Sequence, residues 1–242
     1  MNRKIMSLVL SAVIVTAIAA VGANGQFASA GSGKSTNNIA FDKHNFSHSL
    51  KIDNKYFPLK PGTTFIFEGM KEGSKAKDVF KVTSRTIEVD GLTARIVRDL
   101  AYEEGKIAEF TDDYYAQDDD GNVLYLGEFT TDVESGSHEG SWISGKHGGK
   151  PGIFMEANPQ VGDNYQQEFS RGTAEDRAEI VSVTDTVCVP YGCFKNVVET
   201  RETTPLEPGV EEHKFFAPGV GDIKELLTSG GSEILELTNI KS

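Results

Sequence analysis

Apolar and polar residues alternate along most of the chain with a period of two, as at Phe65 and Phe67 and again at Leu124 and Leu126. This period is typical of a β-strand with one buried face, and no long segment has the 3.6-residue period of an amphipathic helix. The pattern predicts strands at Thr64–Met70, Lys77–Val89, Thr93–Glu103, Ile107–Asp118, Asn122–Thr131, Asn164–Ser170, Glu175–Val189, Cys193–Thr203, Glu211–Ala217, Asp222–Thr228 and Glu233–Ile240.

Short turn sequences separate these strands. Asp90-Gly91, Glu104-Gly105 and Asp120-Gly121 place glycine where a tight hairpin needs a left-handed backbone. Sequential strands joined by short turns pair antiparallel, and a sheet of about 10–12 strands curls or closes. We therefore expect an all-β fold: a curved antiparallel meander that forms a half-barrel, a barrel or a two-layer sandwich.

The first thirty residues differ from the rest of the chain. Arg3 and Lys4 precede an apolar run that reaches about Val21, and Ala28-Ser29-Ala30 has the small residues of a cleavage site. Because no basic cluster follows the apolar run, we expect a signal peptide over 1–30 and no transmembrane anchor. A flexible polar segment over 31–49 and a single β domain over 50–242 would follow. The protein is then exported to the periplasm, the cell surface or the medium.

The charge balance is acidic, with 36 Asp and Glu against 24 Lys and Arg and a net charge of −12. Loss of Arg3 and Lys4 with the signal peptide lowers the charge by two, to −14. Nucleic acid is therefore not an expected partner, because binding its phosphates requires basic side chains. No motif calls for a cofactor, and whether a metal binds is left open.

Export makes the two cysteines candidates for a disulfide, because exported proteins fold in oxidising compartments. Cys188 and Cys193 bracket the turn sequence Val189-Pro190-Tyr191-Gly192. We predict that they bridge the two strands of one hairpin.

A glycine-rich stretch over 135–162 interrupts the strand pattern and contains the only tryptophan, Trp142. Long connections inside a compact domain are usually functional or flexible. Two interpretations stay open: a surface loop anchored in the core by Trp142, or a lid over a binding mouth that carries Trp142 and His147.

Strand register gives the most specific prediction about polar residues. A three-residue hairpin loop at Asp119-Asp120-Gly121 places Asp112 opposite Glu128, and Arg98 on the preceding strand falls opposite Asp112 or one diagonal step away. These three side chains would converge on an otherwise apolar face. They could form a structural network that fixes register, a polar-ligand or metal site, or an acid–base pair of carboxylates. A register slip of one residue would separate Asp112 from Glu128.

Several segments resemble a family of exported bacterial and archaeal β-proteins of unknown function. They are Ile52–Thr63, Tyr115–Glu128, Pro151-Gly152-Ile153 and Thr204–Val210. In addition, Val189–Phe194 followed by Phe216–Gly221 is similar to the "VPxGxF … APGVG" pattern of TapB-like proteins. The resemblance covers about 50 to 225. It implies an exported, single-domain, antiparallel β-protein and assigns no catalytic residue.

The leading functional expectation is a non-catalytic exported protein that binds an apolar or amphipathic molecule, such as a lipid, in the concavity of its sheet. The first alternative is a surface or assembly component without a ligand. The second is a secreted hydrolase that uses the carboxylates near Arg98, which requires two carboxyl groups facing each other across an open cleft. Enzymatic activity is thus left open, with a preference for none, and no oligomeric state is predicted.

Overall fold

The computed structural model describes residues 41–242. The predicted signal peptide and the first part of the predicted polar segment lie outside these residues. The described chain contains β1 (Thr64–Lys71), β2 (Ser74–Val89), β3 (Leu92–Glu103), β4 (Lys106–Gln117), β5 (Val123–Asp132), β6 (Trp142–Ile143), β7 (Gly152–Met155), β8 (Asn164–Gln166), β9 (Arg177–Val189), β10 (Gly192–Thr203), β11 (Glu211–Ala217), β12 (Gly221–Ser229) and β13 (Glu233–Lys241). Every predicted strand occurs, and β6 and β7 are additional.

All strands belong to one antiparallel sheet. Its order is β6-β5-β4-β3-β2-β1-β13-β12-β11-β10-β9-β8, and β7 pairs with β5 beside β6. The sheet therefore consists of two meanders, which join where the first strand pairs with the last. This confirms the predicted all-β fold, as a single open, curved antiparallel sheet.

Tight two-residue turns connect the first four strands. Both residues of Glu72-Gly73, Asp90-Gly91 and Glu104-Gly105 have positive φ, from 47° to 82°. A type I′ turn requires this conformation, and its twist matches the right-handed twist of the strands that it joins. These turns fix the register of the N-terminal meander.

The inner face of the sheet carries the main core, to which both meanders contribute. A segment that we call the strap, residues 52–59, crosses this face before β1. Its Phe57 ring lies 4.3 Å from Phe154, 5.3 Å from Tyr115 and 6.3 Å from Phe216, measured between ring centroids. The strap and these rings fill the concavity at this end of the sheet with packed protein.

A second, smaller core lies on the outer face of β2–β5. Phe41 and Phe46 pack against it, and the backbone N–H of Asp119 donates a hydrogen bond to the Asn45 carbonyl at 2.8 Å. Residues 41–49, expected to belong to a flexible segment, are therefore packed on the sheet. Their aromatic side chains cover apolar residues that the sequence pattern left without a partner.

The disulfide is present as predicted. Cys188 and Cys193 pair directly across the β9–β10 hairpin and are bonded.

The glycine-rich stretch forms an edge of the sheet, which corrects the lid interpretation. Its strands β6 and β7 lie one after the other along β5. Trp142 is buried, with its ring 5.7 Å from the ring of Tyr125, whereas His147 is exposed in a turn. Trp142 therefore anchors this stretch in the core, because strand pairing satisfies the backbone and the indole packs against aromatic neighbours.

Candidate binding site

The inner face buries an excess of acidic side chains. Thirteen carboxyl side chains of the described residues are buried, against three basic ones, Lys71, Arg95 and Lys214. Burying a carboxylate without a partner is costly, so such groups either find a cation or take up a proton. We call the inner-face carboxyl groups of β2, β3 and β10–β13, together with Lys214, the acidic layer. Its members are Asp78, Asp99, Glu202, Glu212, Lys214, Asp222, Glu225 and Glu233.

Lys214 is the main cation of this layer. Its Nζ lies 3.0 Å from Oε2 of Glu202 and 3.3 Å from Oε2 of Glu212. Burial disfavours its charge, but the surrounding carboxylates raise the pKa of Lys214 well above its usual value. One ammonium balances only one carboxylate, and burial raises the pKa of Glu212 well above the ordinary range.

Glu202 is the carboxylate that Lys214 stabilises most directly. Its Oε1 accepts hydrogen bonds from the Thr200 hydroxyl at 2.9 Å and from Nε2 of Gln167 at 3.0 Å. With Lys214 on its other oxygen, Glu202 has the set of donors that a buried carboxylate needs.

A second group of buried acids lies where β1 meets β13. Nζ of Lys71 is 3.8 Å from carboxylate oxygens of Glu233 and Glu103. Burial raises the pKa of Glu233 to about 7, and it does the same for Glu109 on β4. Burial also lowers the pKa of Lys71. Charge in this region is thus poorly compensated.

Two acid pairs face the centre of the inner side, one from each meander. Asp78 lies beside Asp99, and Asp222 beside Glu225, so that each acid acts on its neighbour electrostatically. Burial, followed by the charge of the neighbouring acid, raises the pKa of Asp78 and of Asp222 well above the ordinary range. The protonated forms of Asp78 and Asp222 are therefore favoured.

A small pocket lies directly against these two pairs. Its walls come from the strap, β1, β2 and the β11–β12 turn: Phe57, Pro58, Leu59, Phe65, Phe67, Phe80, Val220 and Gly221, with Asp78 and Asp222 as its polar members. The pocket is partly open and has a free volume of about 20 Å³, which is room for about one water molecule. Asp78 and Asp222 are 2% and 7% exposed, and one oxygen of each, Oδ1 and Oδ2 respectively, receives no hydrogen bond.

Hydrogen bonds hold the strap over this pocket. Asn54 accepts from the backbone N–H groups of Tyr56 and Phe57 and donates Nδ2 to the carbonyls of Gly121 and Glu156. The backbone N–H of Gly219 donates to the carbonyl of Lys55 at 2.7 Å. The strap is thus tied to both meanders, and the pocket lies at the seam between them.

A wider cleft of about 330 Å³ lies between the glycine-rich stretch and two later loops. His138, Glu139, Gly140, Ser141, Gly172, Thr173 and Leu206 line it. The Ser141 hydroxyl is already engaged, because it accepts from the backbone N–H of Thr130 at 3.0 Å. No residue that lines this cleft is among those with a buried, unpaired side-chain atom, so it is less distinctive than the pocket.

Arg98 and Asp112 form the predicted contact on the outer face. Nε and Nη2 of Arg98 donate to the two carboxylate oxygens of Asp112 at 2.6 and 2.7 Å, and the guanidinium lies 5.7 Å from the centre of the Phe110 ring. A β-bulge at the start of β4 sets this register, because Ala101 pairs with Glu109 and Tyr102 with Ile107.

Glu128 does not join them, and this part of the prediction is wrong. Asp112 pairs with Phe129, while Glu128 pairs with Asp113 and shares the inner face with it. The cause is a bulge at Gly127, whose φ is +135° and whose position has no room for a Cβ, since that atom would lie 2.5 Å from the Trp142 carbonyl oxygen. Asp112 and Glu128 therefore lie on opposite faces, which removes the carboxyl pair that the hydrolase hypothesis required.

Sequence reasoning missed the acidic layer, although a signal for it exists. Asp78 is two residues from Ala76 and from Phe80, and all three are buried. Lys214 likewise lies between Glu212 and Phe216 on the buried face of β11. A charged residue in phase with the apolar side of a strand marks a buried charge.

Two negative findings concern residues 41–242. No group of three or more His, Cys, Asp or Glu side chains in this range is arranged to hold a metal ion. The same range contains no helix that is long and apolar enough to cross a membrane.

The fold and the site define an all-β protein with a buried acidic layer. No family model and no curated protein matches the chain. A solved structure of a protein from Bacteroides fragilis NCTC 9343, described as exported and YmcC-like in fold, is 15% identical, covers 78% of this chain and 100% of its own, and has a TM-score of 0.48. A protein from Parabacteroides distasonis ATCC 8503, described as a lipoprotein, is 13% identical over 78% of this chain and 99% of its own, with a TM-score of 0.45.

Proposed function

We propose that the protein is an exported, non-catalytic binding protein, and that its ligand is an apolar or amphipathic molecule. The ligand enters the pocket between the strap and the seam of the two meanders. Export rests on the sequence of the N-terminal segment, with its basic start, apolar run and small-residue cleavage site.

The observation that carries the proposal is the make-up of the pocket. Aromatic and aliphatic walls surround two buried carboxyl groups, each with an oxygen that receives no hydrogen bond. Binding sites for small molecules typically combine apolar walls with a few convergent polar groups. A buried polar atom without a hydrogen bond destabilises a packed core, so its presence calls for a functional explanation.

Two segments that carry the family resemblance also meet at this pocket. Ile52–Thr63 contains the strap, and Phe216–Gly221 forms the turn between β11 and β12. Because the pocket has room for about one water molecule, an apolar chain must displace part of the strap to enter.

The test is titration of the full chain with the neutral fluorescent probe N-phenyl-1-naphthylamine. We expect saturable fluorescence enhancement with one probe per protein. Val220→Trp, which fills the pocket, should abolish it, and the control Val133→Trp should not, because Val133 is exposed away from the pocket. Absence of saturable binding, or equal binding by Val220→Trp that unfolds at the wild-type temperature, would overturn the proposal.

A second candidate function is a surface or assembly component. The inner face is largely filled, and the apolar side chains of Met70, Ile107, Phe129 and Val133 are exposed at 41–48%. Exposed apolar side chains favour a contact surface where they adjoin one another. Light scattering of the full chain tests this function. A stable oligomer that dissociates in the Phe129→Ser variant would favour assembly, and a monomer at all concentrations would argue against it.

A further inference from the structure

We propose that the head group of the ligand is an organic cation, an alkylammonium or quaternary ammonium group that binds between the Asp78–Asp99 and Asp222–Glu225 pairs. This inference rests on the proposed function, because it names the ligand of the same pocket. The geometry that points to it is the meeting of two buried acid pairs at the inner end of one aromatic pocket.

Within residues 41–242, no basic side chain forms a close ion pair with a member of either acid pair, and Lys214 acts on Asp222 only from a greater distance. Asp78 comes from β2 and Asp222 from β12, so each meander supplies one pair to the seam. Lys214 is the buried cation on the adjacent strand, but its short contacts go to Glu202 and Glu212. A positively charged head group between the pairs would supply the missing countercharge.

The walls suit the same chemistry. Phe65 and Phe80 lie 6.1 Å apart and Phe57 and Phe80 lie 6.0 Å apart between ring centroids, all in edge-to-face arrangements. Aromatic faces attract cations, and recognition of quaternary ammonium groups commonly uses several rings together. An anionic head group would meet two carboxyl pairs, and a neutral one would leave their charge uncompensated.

Proton release should accompany the binding of a cation. The groups that face Asp78 are Asp99 on β3 and Glu225 on β12; those that face Asp222 are Glu225 and, on β11, Lys214. In the empty protein, burial and the neighbouring carboxyl groups raise the pKa of Asp78 and of Asp222, which favours their protonated forms. A cation stabilises the ionised forms, so the proton leaves as the cation binds, and affinity rises with pH.

The experiment compares three amphiphiles of equal chain length by calorimetry on the full wild-type chain: octyltrimethylammonium, octyl glucoside and octyl sulfate. We expect the ammonium compound to bind at least about tenfold more tightly than the other two. Its apparent enthalpy should differ between buffers of different ionisation enthalpy in the sense of proton release. This comparison needs no variant and therefore does not depend on whether a mutant folds.

Variants of the two pocket acids test whether the ammonium group binds at the acid pairs. Asp222→Asn and Asp78→Asn should each weaken octyltrimethylammonium about tenfold and leave octyl glucoside unchanged. The control is Glu236→Gln, since Glu236 pairs with Lys224 at 2.9 Å away from the pocket. Equal binding of all three amphiphiles, or binding without proton release, would contradict the cationic head group and leave the proposed binding pocket intact. Binding of none of the three would overturn the pocket itself.

Discussion

The outer-face pair of Arg98 and Asp112 and the inner acidic layer around Lys214 are built from the same residue types in opposite surroundings. On the outer face one guanidinium holds one carboxylate through two hydrogen bonds, and the Arg98 side chain is 35% exposed. On the inner face one ammonium, 6% exposed, serves two carboxylates and lies near several more. The charges of Arg98 and Asp112 therefore balance each other in contact with solvent. In the acidic layer, the carboxyl groups outnumber the single ammonium group, and both are buried.

This difference in burial and charge balance indicates which of the two regions is the better candidate for a functional site. A surface ion pair contributes little and is easily replaced, so it serves register and packing. Buried acidic side chains without a neighbouring cation destabilise the fold. Proteins keep such destabilising groups mainly at functional sites, where binding or catalysis requires them. The acidic layer is therefore the stronger functional candidate of the two regions.

Replacement of Lys214 should have the largest effect. Lys214→Met leaves Glu202 and Glu212 without their shared ammonium, and we expect a loss of about 3–5 kcal/mol in the free energy of unfolding. Urea denaturation at neutral pH measures it. The matched control is Lys224→Met on the next strand, whose pair with Glu236 is 21% and 28% exposed; it should cost under about 1 kcal/mol. Equal losses in the two variants would remove the distinction between the faces.

The second largest expected effect is a dependence of the free energy of unfolding on pH, caused by buried acids of the inner face. The pKa of Glu109 and that of Glu233 are raised by burial from 4.5 to about 7 in the folded protein. Between these two values the unfolded chain has released protons that the folded protein still holds, so the free energy of unfolding falls as pH rises through this range. Each group contributes up to about 3 kcal/mol to this fall.

Urea denaturation at intervals from about pH 5 to about pH 8 tests this direction. Glu109→Gln should flatten the profile, because the amide does not titrate, and Glu233→Gln should flatten it independently. A stability that increases over this interval, or a profile that neither variant changes, would contradict the buried positions of these acids.

The strands were predictable because alternation and turn chemistry are local. Each predicted strand occurs, and the Asp119-Asp120-Gly121 loop has the expected geometry, with the N–H of Gly121 bonded to the carbonyl of Asp118 at 3.1 Å. The position of Glu128 was not predicted, because the bulge at Gly127 depends on β6 lying against β5, a contact between distant segments. A glycine inside a strand pattern was the only local sign of it.

The acidic layer needed more than local pattern. Its members come from β2, β3 and β10–β13, and they meet only because β1 pairs with β13 and brings the two meanders together. The N-terminal contacts of Phe41 and Phe46 were missed for a related reason. Two aromatic residues in a polar segment show no period, so their role appears only once the outer-face core is in place.

Replacement of Arg98 should have the smallest effect and completes the comparison. Arg98→Met removes both hydrogen bonds to Asp112, but Arg85 lies within 3.4 Å of the same carboxylate and solvent reaches it, so we expect a loss of about 1 kcal/mol. Arg98→Lys should lose less, because it keeps the charge and only the two-bond geometry is gone. Salt separates the two regions further: about 1 M sodium chloride screens exposed charges within a few ångströms. The penalty of Arg98→Met should therefore shrink in high salt, while that of Lys214→Met should persist. An Arg98→Met variant as unstable as Lys214→Met in both salt conditions would mean that the outer pair, and not burial, determines the register of β3 and β4.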